Sequence, residues 1–131
     1  MTGSTEDPAL KSVEEAWQDL LGRDLSKSHQ GLADLVFEAS ADPVLLKLFP
    51  FTSMHNLCFS KCTKYPYYVL LWITPLGQGD FMVQEPLVPG GWTEGTELHS
   101  GSLQDCVRVA SNRLANSNNV LHGDAESLGL C

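Results

Sequence analysis

Leu57-Cys58-Phe59-Ser60-Lys61-Cys62, followed by Tyr67-Tyr68-Val69-Leu70-Leu71-Trp72-Ile73, decides the fold class, because the apolar period of the chain changes here. In the first stretch Leu57, Phe59 and Lys61 alternate with Cys58, Ser60 and Cys62, the period of two expected of a strand with one buried and one partly exposed face. The second is a continuous apolar run rich in aromatic and branched residues, the pattern of a central strand covered on both sides. Beyond the turn-rich Pro75-Leu76-Gly77-Gln78-Gly79-Asp80, Phe81 to Gln84 supplies a third strand, so a meander is expected.

Outward from this centre the period is helical. Ser12-Val13-Glu14-Glu15 has the form of a capping box, and Val13, Trp17, Leu20 and Leu21 form a stripe that ends near Gly22. A second stripe, Leu32, Leu35, Val36 and Ala39, follows Gly31. Asp42-Pro43 then predicts a short third helix over Val44 to Leu48, stopped by Pro50, with Leu45, Leu48, Phe49 and Phe51 buried by this helical layer. At the other end Ser102 caps a closing helix whose Leu103, Cys106, Val107, Ala110 and Leu114 share the face that should lie on the sheet. The stretch from Glu85 to Gly101, with Pro86, Pro89 and several glycines around Trp92, reads as a long loop with room for a fourth strand from Trp92 to Leu98, and so as a candidate lid. The expectation is an α+β fold: N-terminal helices, a three- to four-stranded antiparallel meander, and a C-terminal helix packed on the sheet. Residues 1–11 read as a flexible leader, 12–115 as a single domain and 116–131 as a flexible tail.

A chain of 131 residues suits one core, and 43% hydrophobic with 18% charged residues is an ordinary globular composition. The formal net charge is −8, from 16 acidic against 8 basic side chains. Such a surface repels phosphate backbones and anionic lipid, so nucleic acid and membrane are excluded as partners. No secretory signal is legible at the N-terminus, and the longest apolar run is far shorter than a spanning helix. The cysteines, Cys58, Cys62, Cys106 and Cys131, are sparse for a secreted scaffold and are expected to be thiols in a cytoplasmic protein.

Reactive side chains crowd between Thr52 and Tyr68. Zinc binding by His55, Cys58 and Cys62 fails on spacing, since strand geometry puts the two sulfurs about 13 Å apart. Nucleophilic chemistry by Cys62 or Cys58, with His55 as base, would draw on the basic neighbours Lys61 and Lys64; against it stands the habit of free cysteine to act as a small buried hydrophobe. Acid and base work by His55, Ser60 and Tyr65 asks for a pocket walled by Phe51, Phe59, Tyr67 and Trp72. The candidate catalytic residues are therefore His55, Ser60, Cys62 and Tyr65. The candidate substrate-binding residues are Phe51, Thr52, Ser53, Phe59, Tyr67, Trp72 and Trp92. No phosphate-cradling, dinucleotide, H-E-x-x-H or G-x-S-x-G motif is present, so no cofactor is called for.

The stretch Leu48-Phe49-Pro50-Phe51-Thr52-Ser53, followed by Leu57-Cys58-Phe59-Ser60-Lys61-Cys62-Thr63-Lys64-Tyr65-Pro66, resembles an uncharacterised actinobacterial family of small natural-product biosynthesis proteins. Its pattern runs from a Trp-containing helix through "LFP-x-TS" to "L-x-FS-x-CT-x-YP", a glycine-rich turn and a closing helix; Trp17 and the helix after Ser102 fit that frame. The resemblance implies a protein acting on a biosynthetic intermediate, including a modified peptide. Cofactor-independent, cyclase-like proton transfer in a pocket between sheet and helices is one reading. The other is a non-catalytic binding module: a chaperone, leader-peptide binder or immunity-like protein. Its partners would be the intermediate, another biosynthetic protein or a second copy of the chain.

Overall fold

Ser12 starts the first helix by the exchange its sequence calls for: its Oγ accepts from the Glu15 amide at 3.1 Å and the Glu15 carboxylate accepts from the Ser12 amide at 3.0 Å. The computed structural model describes residues 12–25, 30–63, 67–88, 91 and 94–115. Within them α1 spans Val13–Gly22, α2 Gln30–Ser40 and α3 Leu103–Ala115, and a 3-10 turn covers Leu45–Lys47. The expected leader and tail lie outside the described residues. Among those described, no helix is long and apolar enough to cross a membrane.

The sheet has five antiparallel strands in the order β1-β2-β3-β4-β5: Phe49–Ser53, Asn56–Ser60, Val69–Gly77, Asp80–Pro86 and Gly95–Gly101. The α+β expectation is therefore correct, with more strands than the three or four expected. The additional one is β1. Pro50 does not end a helix but sits in this edge strand, where its missing N–H is tolerated. The predicted third helix shrinks to the 3-10 turn, although Asp42 still caps it: Asp42 Oδ1 accepts from the amides of Val44 and Leu45 at 2.9 and 3.0 Å.

Two further boundaries move. β3 starts at Val69 and runs through Pro75 to Gly77, and the β3–β4 hairpin turns through Gly77, Gln78 and Gly79, all at positive φ. Most of the stretch from Glu85 to Gly101 pairs as β4 and β5, which leaves only residues 87–94 as a connection and removes the long lid.

All three helices lie on one face of the sheet: α1 against β1, α2 over β2 and β3, α3 across β3, β4 and β5. Alternation sends Leu57 and Phe59, Leu71 and Ile73, and Phe81 and Val83 into that layer. Gly31 lets α2 approach the β3–β4 hairpin, because a Cβ there would stand 3.0 Å from Pro75 Cβ and 3.4 Å from the Phe81 ring. At the far end Arg113 grips Glu85 with two nitrogens at 2.8 and 3.1 Å, pinning α3 to β4. The indole of Trp17 is fully buried, lies 6.2 Å from the Phe59 ring, and donates from Nε1 to the Leu48 carbonyl at 3.0 Å.

That donor ties α1 to the chain entering β1. Trp17→Phe keeps an aromatic ring but leaves the Leu48 carbonyl unsatisfied, and should lower the unfolding free energy by about 1–3 kcal/mol, read from urea denaturation followed by circular dichroism.

Candidate functional site

Since the helices take one face of the sheet, the other face is the surface on which side chains converge without helical cover. A second apolar cluster sits there, made of Cys58, Val69 and Trp72 with Phe51 and Tyr67 packed against it, and it contains no helical residue among those described. Register explains its membership. Phe51 stands opposite Cys58 and Cys58 opposite Trp72, so the three point the same way across β1, β2 and β3. Phe49 belongs to the same row: Tyr67 stacks on Phe51 at 4.4 Å between ring centroids and on Phe49 at 5.4 Å. Phe51 and Tyr67 remain half-buried, leaving ring surface at the solvent boundary.

Polar groups frame these rings. Trp72 Nε1 donates to Gln84 Oε1 at 2.9 Å, and Thr74 Oγ1 donates to Asn56 Oδ1 at 2.6 Å. The Trp72 indole lies over Gly95, where a Cβ would fall 2.5 and 2.7 Å from two ring carbons and 2.9 Å from the Glu85 carbonyl. Gly95 therefore sets where the indole rests.

The expected catalytic residues are not brought together. His55 sits in the two-residue turn between β1 and β2, beside Met54 at φ 59, and Ser60 closes the opposite end of β2. Five residues of extended chain place these two roughly 16 Å apart. The Ser60 hydroxyl is buried and committed: it donates to the Cys62 carbonyl and accepts from the Cys62 amide, both at 3.0 Å. Tyr65 and Trp92 lie outside the described residues.

Cys62 corrects two expectations. A bulge between Phe59 and Ser60 ends the regular pairing, so Cys62 lies past the strand rather than sharing one face with Cys58. It is also disulfide-bonded and fully buried, hence not a thiol nucleophile, which removes part of the ground for assigning a reducing compartment. Residue counts alone could not disclose this, because disulfides depend on spatial approach. Cys58 and Cys106 are free and buried. Burial pushes the Cys58 thiol up to about 12 and also raises that of Cys106, so neither offers a thiolate near neutrality. Lys61, expected to make a thiol's surroundings basic, holds its Nζ 5.0 Å from the Tyr68 ring centroid. No group of three or more His, Cys, Asp or Glu among the described residues is placed to hold a metal ion.

The expected binding residues divide between the two faces. Phe51, Tyr67 and Trp72 share the helix-free face, while Phe59 packs with no exposure under Trp17 on the other side. A single pocket wall containing all four is therefore ruled out by strand alternation. Thr52, opposite Leu57, faces the helical side, and Ser53 pairs with Asn56 at the hairpin end of the open face. Reading from the sequence missed Phe49, Asn56, Thr74, Gln84 and Gly95 as parts of this surface. Only Phe49 left a signal, its alternation with Phe51 across Pro50.

Two measurements test this surface. Gly95→Ala should destabilise by about 1–3 kcal/mol and shift tryptophan emission, because the new methyl displaces the Trp72 ring. For Cys58 the unfolded thiol ionises from about pH 9.0 while the folded one stays protonated to about 12. Its contribution is thus complete below pH 9 and lost as pH rises through that window. Relative to Cys58→Ala, the wild-type protein should lose unfolding free energy between about pH 9 and about pH 10.5, by at most about 1.4 kcal/mol per pH unit.

Among known proteins, a model of a family of unknown function, DUF6193, matches residues 11–115. No curated protein and no solved structure matches. The chain belongs to the DUF6193 family.

Proposed function

We propose that this DUF6193 member is a non-catalytic binding module that holds an apolar, ring-bearing ligand against the helix-free face of its sheet. The ligand is a natural-product or modified-peptide intermediate, which the protein presents to another biosynthetic protein. The observation that carries this reading is the half-buried pair Phe51 and Tyr67, stacked at 4.4 Å and backed by the buried Phe49 and Trp72, with hydrogen-bonding groups from Asn56, Thr74 and Gln84 at its border. Ligand sites combine a large apolar wall with a few placed polar groups, and half-buried rings gain more by being covered than aliphatic chains of equal length.

The geometry supports binding over turnover. General acid and base catalysis needs its groups within hydrogen-bond reach of one reacting atom. His55 and Ser60 occupy opposite ends of β2, and the Ser60 hydroxyl is spent on the backbone of Cys62. A rigid aromatic platform with satisfied polar neighbours instead favours capture with little ordering cost.

Incubating the protein with the intermediates of the neighbouring biosynthetic enzymes and recording native mass spectra separates the two roles. The expected result is a one-to-one complex whose ligand keeps its mass and, once released, its chromatographic retention, because a cyclase-like proton transfer conserves mass. Phe51→Ala should weaken it about tenfold, and His55→Ala should leave it unchanged. A ligand released with altered mass or retention, and left unaltered by His55→Ala, would show an enzyme instead.

A further inference from the structure

On the helix-free face, register continues the aromatic row into polar groups. Pairing runs from Phe51 through Cys58, Trp72 and Gln84 to Glu97, one residue from each strand, so all five point to the same side. A bulge between Val83 and Gln84 leaves Leu98 as an extra residue in β5. Glu97 and Ser100, three apart, would face opposite sides of a regular strand. With the bulge both lie on the open face, and the Ser100 hydroxyl donates to Glu97 Oε2 at 3.3 Å.

Two groups of this row keep hydrogen-bonding capacity. An indole N–H can only donate, so the Gln84 amide must turn its oxygen to Trp72, at 2.9 Å, and its NH2 is left as a donor with no partner among the described residues. Glu97 is exposed and forms no ion pair with a described lysine or arginine. Across this row and the next, which holds Asn56, Thr74, Met82 and Ser100, it is the one charged side chain among the described residues. A cation arriving there meets no described competitor, because Arg113 is held by Glu85 and Lys61 lies over the Tyr68 ring. The chain's formal net charge of −8 favours the same sign of ligand.

Spacing narrows the class further. Strands about 4.8 Å apart put Glu97 about 5 Å from Gln84 along the row, and Gln84 roughly 14 Å from Phe51. A peptide's amino terminus brings an ammonium and a carbonyl acceptor next to each other, and about four further residues of extended chain cover the rest at about 3.3 Å each. We infer that the ligand of this face is a peptide with a free amino terminus: Glu97 accepts from its ammonium, the Gln84 amide donates to its first carbonyl, and Phe51 with Tyr67 takes an aromatic side chain about four residues on. This rests on the reading of the face as a ring-binding platform and names the class of ligand. The rings supply contact area, and Glu97 discriminates by charge.

The test titrates the full chain with the amidated pentapeptide Gly-Ser-Gly-Ser-Phe and with its N-acetylated form, followed by NMR at the Trp72 indole N–H. The free amine should bind about threefold more tightly at about 50 mM NaCl, the range of an exposed ion pair, and the preference should shrink at about 300 mM. Glu97→Gln should hold both forms alike, at the affinity of the acetylated one, whereas Phe51→Ala should weaken both. Circular dichroism checks that each variant is folded. The inference is overturned if the wild-type protein holds the two forms equally, or if Glu97→Gln keeps the preference; ring capture then stands without it. Binding of neither form removes ring capture together with the inference. A dimer in sedimentation that Phe51→Ala dissolves would give the face to a second copy and overturn it as well.

Discussion

The two-sided burial of β2 and β3 is the constraint on which the remaining structure depends. Leu57 and Phe59 enter the helical core with Leu71 and Ile73, while Cys58 and Trp72 enter the opposite cluster. A slip of one residue between these strands would exchange the two sets, placing Trp72 under the helices and exposing Ile73. Because both faces are apolar and differently shaped, only one register satisfies both. The helices then have a fixed surface to cover, and the aromatic row has a fixed set of neighbours.

Asymmetry of cover follows from the connections. Successive strands are joined by hairpins or short links, so no helix crosses from one face to the other within the meander. The helical segments all fall before β1 or after β5, and they pack together on a single side. What this leaves on the other side is a platform built from strand residues and Tyr67 of the link between β2 and β3. Its rings are held by cross-strand contacts and by Gly95, whose lack of a side chain gives Trp72 room to lie flat.

The cysteines illustrate how position overrides composition. Three of them lie among the described residues and each has a different fate: Cys58 a buried thiol beneath aromatic rings, Cys62 a disulfide sulfur beyond a bulge, Cys106 a thiol donating toward the Phe81 carbonyl at 3.3 Å. Desolvation alone accounts for the upward movement of Cys58, without any partner charge. Such a sulfur behaves as packing material, and its chemistry is largely suppressed.

By itself the sequence determined the parts governed by local physics. The Ser12 box, the Ser102 cap on the Asp105 amide at 3.2 Å and the helical stripes all follow from interactions within four residues, so they were legible. The alternation at Leu57 to Ser60 likewise marked the strand that organises the sheet. Tertiary structure alone decided β1, since Leu48 to Ser53 is too short for its period to speak and its pairing partner lies beyond the turn. It also decided which residues meet. Phe59 and Phe51 were equally credible as walls of one pocket until pairing sent them to opposite faces, and His55 and Ser60 were near in sequence yet stand at opposite ends of an extended strand. Propensity and periodicity act over a few residues, whereas a site is an agreement among distant ones, and only the folded register brings that agreement about.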